Sequence, residues 1–303
     1  MAFDNALEAI TSDNDARWAF GTGFHDPLAG IDTSVPAGIE SADLAAYCLM
    51  LGDDALVMSH RLQEWCTNAP ELEEEVALAN IALDLLGQAR LLLTRSGKAE
   101  GAGRSEDDLA FFRDEAQFRN VRLVEAPNGD FAFSIARLLM FATWRLALLH
   151  RLTSSRDPVL AAIAAKSVKE VAYHREHAAL WTVRLGDGTD LSHRRMQEAM
   201  DAVWPLSGEL LRTHEIERRL ADAGVGVDPA TVRAEFDDVL DRVLEAATLR
   251  RPVVASDAKP LDAVLSEAEP SVRSGRDGVH SEAMSGLLTR LQSVARADPG
   301  ATW

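Results

Sequence analysis

The stretch KEVAYHREH (169–177) places Glu170, His174 and His177 at a spacing of i, i+4 and i+7. On a helix these three side chains share one face, within a wedge of about 60°. A carboxylate with imidazoles is the donor set of zinc and non-heme iron sites. Val159, Ile163 and Trp181 fall in the same wedge, with Lys166 and Tyr173 beside it, so the polar group sits on an apolar, inward stripe. Two more stripes have this mixed character. One carries Asn80, Asp84 and Gln88 in line with Ala77 and Leu91, and the other carries Asp53, Val57, His60, Arg61 and Glu64. Polar groups on inward faces are costly unless paired. Such groups must bind a cation or hydrogen-bond one another.

Four long helices are predicted to position these residues, at 42–66, 71–95, 131–153 and 158–185. Ser41 is the expected N-cap of the first, and Pro70 and the acidic run Glu71, Glu73, Glu74 and Glu75 suit the start of the second. Asp130 and Asp157-Pro158 open the third and fourth. Residues 96–107 (SGKAEGAGRSED) read as a flexible loop. Shorter helices are expected at 108–120, 192–203, 208–222, 229–249 and 281–296, with an irregular wrap over 251–280. The second and third long helices are apolar nearly all round, which requires other helices to enclose them. The fold class is therefore all-α, a four-helix bundle with additional peripheral C-terminal helices. Residues 1–41 read as an N-terminal extension and 42–303 as one domain.

A ferritin-like di-iron bundle takes one Glu from each of two helices and a Glu-x-x-His from each of the other two. Here the second helix offers Asp84-x-x-Gly87, with no imidazole at the second position. The fourth offers Glu170-x-x-Tyr173, with His174 one residue late, a displacement of about 100° around the helix. The third helix contains no Asp or Glu at all. The outline of a di-iron box is present without its ligand set. A polar network in place of the metals is the reading this favours, built from Asp53, His60, Asn80, Asp84, Gln88, Glu170, His174 and His177, with Arg137 or Lys166 supplying positive charge. On that reading Glu170→Ala costs roughly 3–5 kcal/mol by leaving a buried charge unpaired.

Composition narrows the function classes. The 303 residues carry a net charge of −17, which repels phosphate backbones and anionic membranes and argues against nucleic-acid binding. Hydrophobic residues make up 47%, enough for a large core. Cys48 and Cys66 lie about five helical turns apart, roughly 27 Å on one helix, too far to pair. They read as reduced thiols of a cytoplasmic protein. The N-terminal residues lack the pattern of a signal peptide, and no apolar run is expected to reach the ~20 residues of a membrane span.

The segment LGDDALVMSHRLQEWCTNAPELEEEVALANIALDLLGQARLL (51–92) resembles the non-catalytic ferritin-like subunits, the C subunits, of the bacterial phenylacetyl-CoA epoxidases. The resemblance continues through 111–138, 155–177 and 184–197 and resumes at GRDGVHSEAMSGLL (275–288) and DPGATW (298–303). It implies a ferritin-like structural subunit of a cytoplasmic monooxygenase complex, with no cofactor in this chain. The implied partners are a catalytic ferritin-like sister holding a di-iron centre, a reductase carrying flavin and iron–sulfur groups that draws on NADPH, and small subunits. The apolar helices 71–95 and 131–153, and Trp303, are the expected contact sites. Two other readings stay open on the residues alone. One is a catalytic di-iron oxygenase using Glu64, Asp84, Glu170, His174 and His177, and the other is a helical interaction or storage protein.

Overall fold

The computed structural model describes residues 30–252 and 273–300. Among them are nine α-helices and no strand. The frame is α1 (Ser41–Gln63), α2 (Leu72–Glu100), α4 (Phe131–Leu152) and α5 (Pro158–Gly186), with α3 (Glu106–Phe111) in the connection from α2 to α4. The peripheral helices are α6 (Asp190–Val203), α7 (Glu215–Asp222), α8 (Arg233–Ala246) and α9 (Glu282–Ala297). Cross-helix hydrogen bonds set the directions. Ser59 and Ser96 bond Ala82 and Ala45, which makes α1 and α2 antiparallel. Trp65 just beyond α1 reaches Ser134, and Arg145 reaches Leu51, so α4 runs against α1. The long crossover over 101–130 then gives the ferritin-like connectivity.

Two helix starts follow the sequence reading. Asp130 accepts from the Phe133 amide at 2.9 Å, and Asp157 from the Leu160 amide at 2.8 Å with Pro158 in the first turn. Ser41 is not a cap, because the helix begins one residue earlier in register, with Glu40 at the N-cap and no side-chain bond. The Ser96-Gly97 pair expected in a loop lies inside α2, which continues to Glu100 and ends at a left-handed Gly101. Tertiary contact explains the small residues. Ser96 bonds α1 at 2.9 Å, and a Cβ on Gly97 would lie 2.2 Å from the Arg104 carbonyl oxygen. The expected helices at 208–222 and 229–249 each divide into a 3-10 segment and a shorter α-helix.

Helix α4 is buried along almost its whole length. By length and hydropathy both it and α2 pass the test for a membrane span, contrary to the expectation that no run approaches that length. For α4 the cause is enclosure, since 94% of its apolar window is buried, whereas only 44% is buried in α2. Residues before α1 also join the core, because Ile31, Val35 and Ile39 pack on it and Arg95 bonds the carbonyls of Thr33 and Ser34. The other residues assigned to an extension, 1–29, and Trp303 lie outside the described residues, as do 253–272 of the expected wrap.

The crossover is clamped from both sides. Asp53 takes both terminal nitrogens of Arg113 and the amide of Arg119, while Asp54 takes the Val121 amide. A strap of residues 274–281 closes over it. Arg276 inserts there, bonding both oxygens of Asp54 and the carbonyls of Met50 and Arg119. Gly275 is required because a Cβ there would meet the Asn120 carbonyl oxygen at 1.9 Å. His280 fastens the far end of the strap. Its Nδ1 faces Glu125 Oε1 at 2.7 Å and its Nε2 faces the Phe118 carbonyl at 3.1 Å. Glu125 already accepts from Asn120 and from the Ser281 amide, so both imidazole nitrogens donate and the ring is charged.

Burial pulls the His280 pKa down, but the hydrogen bond and charge of Glu125 outweigh it and hold it above the ordinary value. A group raised in the folded state stabilises fully below its unfolded pKa, and that contribution is lost as pH rises through the folded pKa. Denaturant titrations from pH 6 to pH 9 are therefore expected to show the wild type losing part of its advantage over His280→Gln as pH rises. A constant difference across that range would rule out the charged latch.

Candidate functional site

Helices α2 and α5 lie side by side and antiparallel, joined by polar rungs. From one end to the other these are Glu74 with His177, Asp84 with His174, Gln88 with Glu170, and Arg95 with Asp157. The His174 Nε2 to Asp84 Oδ2 distance is 3.0 Å, with the imidazole buried and the carboxylate partly in solvent. Glu74 and His177 approach to 3.3 Å, but neither Glu74 Oε2 nor His177 Nε2 has a well-aligned hydrogen bond. Burial pushes the Glu74 carboxyl up and the His177 imidazole down, so both are driven toward neutrality.

The central rung continues into the bundle. Gln88 Nε2 donates to Glu170 Oε2 at 2.9 Å, and Gln88 Oε1 accepts from Arg145 Nε at 2.9 Å. Arg145 also donates to the Leu51 carbonyl of α1 at 3.2 Å, and its guanidinium lies 5.6 Å from the Phe141 ring centroid. The side chain is fully buried. Burial lowers its pKa to about 10, which leaves it a cation at neutral pH, held by the fields of Asp54 and Glu170. The four long helices thus meet at one level through Leu51, Gln88, Arg145 and Glu170, with a guanidinium between them. A second buried guanidinium, Arg276, pairs with Asp54 and lies 3.8 Å from Glu217, whose carboxyl burial raises to about 7.

Several residues expected in one network lie elsewhere. Arg137 faces the carbonyl of Ala126 and the side chain of Asn128, at the level of Arg61 and Glu64. It is two helical turns, about 12 Å, from Arg145 and cannot reach Glu170. Lys166 stays on the surface, 3.8 Å from Glu170 Oε1. Asn80 is exposed because its phase on α2 turns it away from the core. Asp53 is buried but belongs to the crossover clamp. His60 is half-buried with Nε2 lacking a partner, and burial lowers its pKa. Glu64 caps the end of α1 and pairs with Arg61 and Arg290. Tyr173, at the position of a ligand in the box, is 52% exposed.

This donor set does not fit a carboxylate-bridged metal pair. Helix α4 contributes a cation where a bridging carboxylate would be needed. Among the described residues no three His, Cys, Asp or Glu side chains converge to hold a metal ion. The non-standard set of Glu64, Asp84, Glu170, His174 and His177 is dispersed, with Glu64 bonded to Asn128 and Arg290 beyond the end of the bundle seam.

A family model described as phenylacetic acid catabolic protein matches residues 32–303. The chain belongs to this family. It is also 45% identical over 261 residues, 86% of its length and 99% of the relative's, to the C subunit of the 1,2-phenylacetyl-CoA epoxidase of Escherichia coli (strain K12). The start of the family match at residue 32 coincides with the segment around Ile31 and Val35 that packs on the core. As a family member, the chain has an all-α, ferritin-like bundle.

Arg145 is the residue that sequence reasoning missed. Its signal was an Arg within FATWRLALL, on a helix otherwise too apolar to face water. Placing it required the antiparallel register of α4 against α1, which sets Arg145 rather than Arg137 level with Gln88. The geometry also revises the expectation for Glu170, whose side chain is 20% exposed and whose direct partner is an amide. Glu170→Ala is expected to cost about 1–2 kcal/mol. Gln88→Leu is expected to cost about 3 kcal/mol, because it leaves the buried guanidinium without its side-chain acceptor. Urea unfolding of both variants checks the order, and a larger loss in the Glu170 variant would contradict the relay.

Proposed function

We propose that the chain is the structural, non-catalytic subunit of a cytoplasmic multicomponent phenylacetyl-CoA 1,2-epoxidase that serves aerobic phenylacetate degradation. In this reading it supports a catalytic ferritin-like sister subunit that holds the di-iron centre. A reductase with flavin and iron–sulfur groups supplies electrons from NADPH, small subunits complete the complex, and this chain itself carries no cofactor. The supporting observation is Arg145. Its buried guanidinium takes up the core level at which an oxygen-activating bundle needs a bridging carboxylate, and Gln88 accepts a hydrogen bond from it.

The chemistry of the site agrees with a supporting role. A guanidinium cannot be deprotonated at neutral pH, and it brings permanent positive charge to a place where a metal cation would be repelled. Its neighbours Gln88 and Leu51 offer neutral oxygens already engaged in bonding it. What the arrangement can do is hold four helices at fixed spacing, which is what a scaffold beside a sister bundle requires.

The test is metal analysis of the chain expressed alone in iron-supplemented medium, followed by co-expression with the catalytic sister. Iron well below one equivalent, no oxygen consumption with phenylacetyl-CoA, and co-purification with the sister are expected. Near-stoichiometric iron with oxygen-dependent turnover by the chain alone would overturn the proposal.

A further inference from the structure

Two buried guanidinium groups meet on one turn of α1. Arg145 of α4 donates to the Leu51 carbonyl at 3.2 Å, and Arg276 of the strap donates to the neighbouring Met50 carbonyl at 3.0 Å. Arg276 also lies 5.9 Å from the ring of Trp144, the residue before Arg145. Like charges gathered inside a bundle are tolerated when a buried anion offsets them. Asp54, one turn further along α1, supplies that anion. Both its oxygens accept from Arg276, at 3.0 and 2.9 Å. Burial pushes its carboxyl up, and the charges of Arg276 and then Arg145 oppose that.

The two cations are held in different ways. Arg276 arrives on the strap, which has fastenings of its own: Gly275 donates to Glu209 at 2.7 Å, Ser281 donates to Glu125 at 2.7 Å, and His280 faces Glu125 and Phe118. Arg145 is held from α2 by Gln88, which in turn donates to Glu170 on α5. Asp54 and Glu170 attract Arg145, and Arg276 repels it. Withdrawal of the strap therefore changes two forces together. It leaves the Asp54 carboxylate without its bonded cation, and it removes the repulsion that keeps Arg145 from taking that place. An Arg145 drawn to Asp54 gives up Gln88, and the amide is then free of the relay.

We propose that the strap and the Arg145 relay form one coupled device, in which Arg276 seated on Asp54 keeps Arg145 on Gln88, and withdrawal of the strap passes Asp54 to Arg145 and frees the Gln88–Glu170 rung on the α2–α5 side. Coupling of this kind is reciprocal. Whatever draws Gln88 or Glu170 out of the relay favours withdrawal of the strap. The inference goes beyond a role beside a sister subunit and does not rest on it.

Solvent exchange of arginine Nε–H groups in the full-length chain, followed by NMR, tests the proposal. The Arg145 group bonds Gln88, and the Arg113 group bonds the Leu109 carbonyl within the separate Asp53 clamp, which makes it an internal control. Arg276→Gln is expected to speed Arg145 exchange by about tenfold or more and to leave Arg113 within about threefold of the wild type. Gly275→Ala unseats the strap by its clash with the Asn120 carbonyl, changes no charge, and is expected to do the same. Arg276→Lys keeps the cation and is expected to retain most of the protection. Asp54→Asn added to Arg276→Gln removes the anion that draws Arg145 away, and slow exchange is expected to return, a rescue that general loosening would not produce. Unchanged Arg145 exchange in Arg276→Gln, equal acceleration of Arg145 and Arg113, or no rescue by Asp54→Asn overturns the proposal. The wild type gives a check that needs no variant to fold. In urea below the unfolding transition, Arg145 Nε–H and the Gly275 amide are expected to lose protection together, and Arg145 protection that outlasts that of Gly275 overturns the coupling.

Discussion

The buried guanidinium of Arg145 constrains the interior of this bundle. A charge inside four helices is tolerated only if its bonds are satisfied within the protein. Gln88 meets that condition from α2, Leu51 from α1, and Glu170 from α5 through the Gln88 amide. The amide is suited to this place because one end accepts and the other donates, so it joins a cation to an anion without bringing the two into contact. Each long helix then has one group committed at the same height. That fixes the relative sliding of the helices in a way that apolar packing alone does not.

The second set of constraints lies around the crossover. Asp53 and Asp54 are neighbours in sequence and point to different tasks. Asp53 holds Arg113 and the backbone at Arg119, and Asp54 holds Val121 and the inserted Arg276 of the strap. These bonds draw the backbone at 119–121 inward, which is why the helix expected over 108–120 stops at Phe111 and gives way to short 3-10 turns. The strap adds a late segment of the chain to the same knot, with Gly275 and His280 at its two ends. The side of the bundle formed by α1 and α4 is thereby covered, and the α2–α5 side remains open.

Much of the frame was legible because its signals are local. Asp130 and Asp157-Pro158 mark helix starts through bonds to their own next turn. The apolar run of α4 follows from residues that have no exposed alternative. The missing carboxylate on α4 and the glycine in place of an imidazole three residues after Asp84 were also visible in the letters alone. What escaped is non-local. Ser96 and Gly97 resemble a loop until α1 and the Arg104 carbonyl are placed against them. Arg137 and Arg145 are both buried on one helix, eight residues apart, and only the register against α1 decides which stands beside Gln88. Asn80 shares a periodic stripe with Asp84 and Gln88, but the stripe turns outward at that end. The strap anchor Arg276 carries no local pattern that points to Asp54.

The guanidinium of Arg145 stands at the level of Gln88 and Glu170. The most direct measurement of this is an anomalous difference map at the iron absorption edge, from crystals of the chain grown from iron-supplemented cells. Featureless anomalous density between α1, α2, α4 and α5 is predicted, with Arg145 bonded to Gln88. An iron peak within coordination distance of Glu170 and His174, with Arg145 turned away from Gln88, would contradict it.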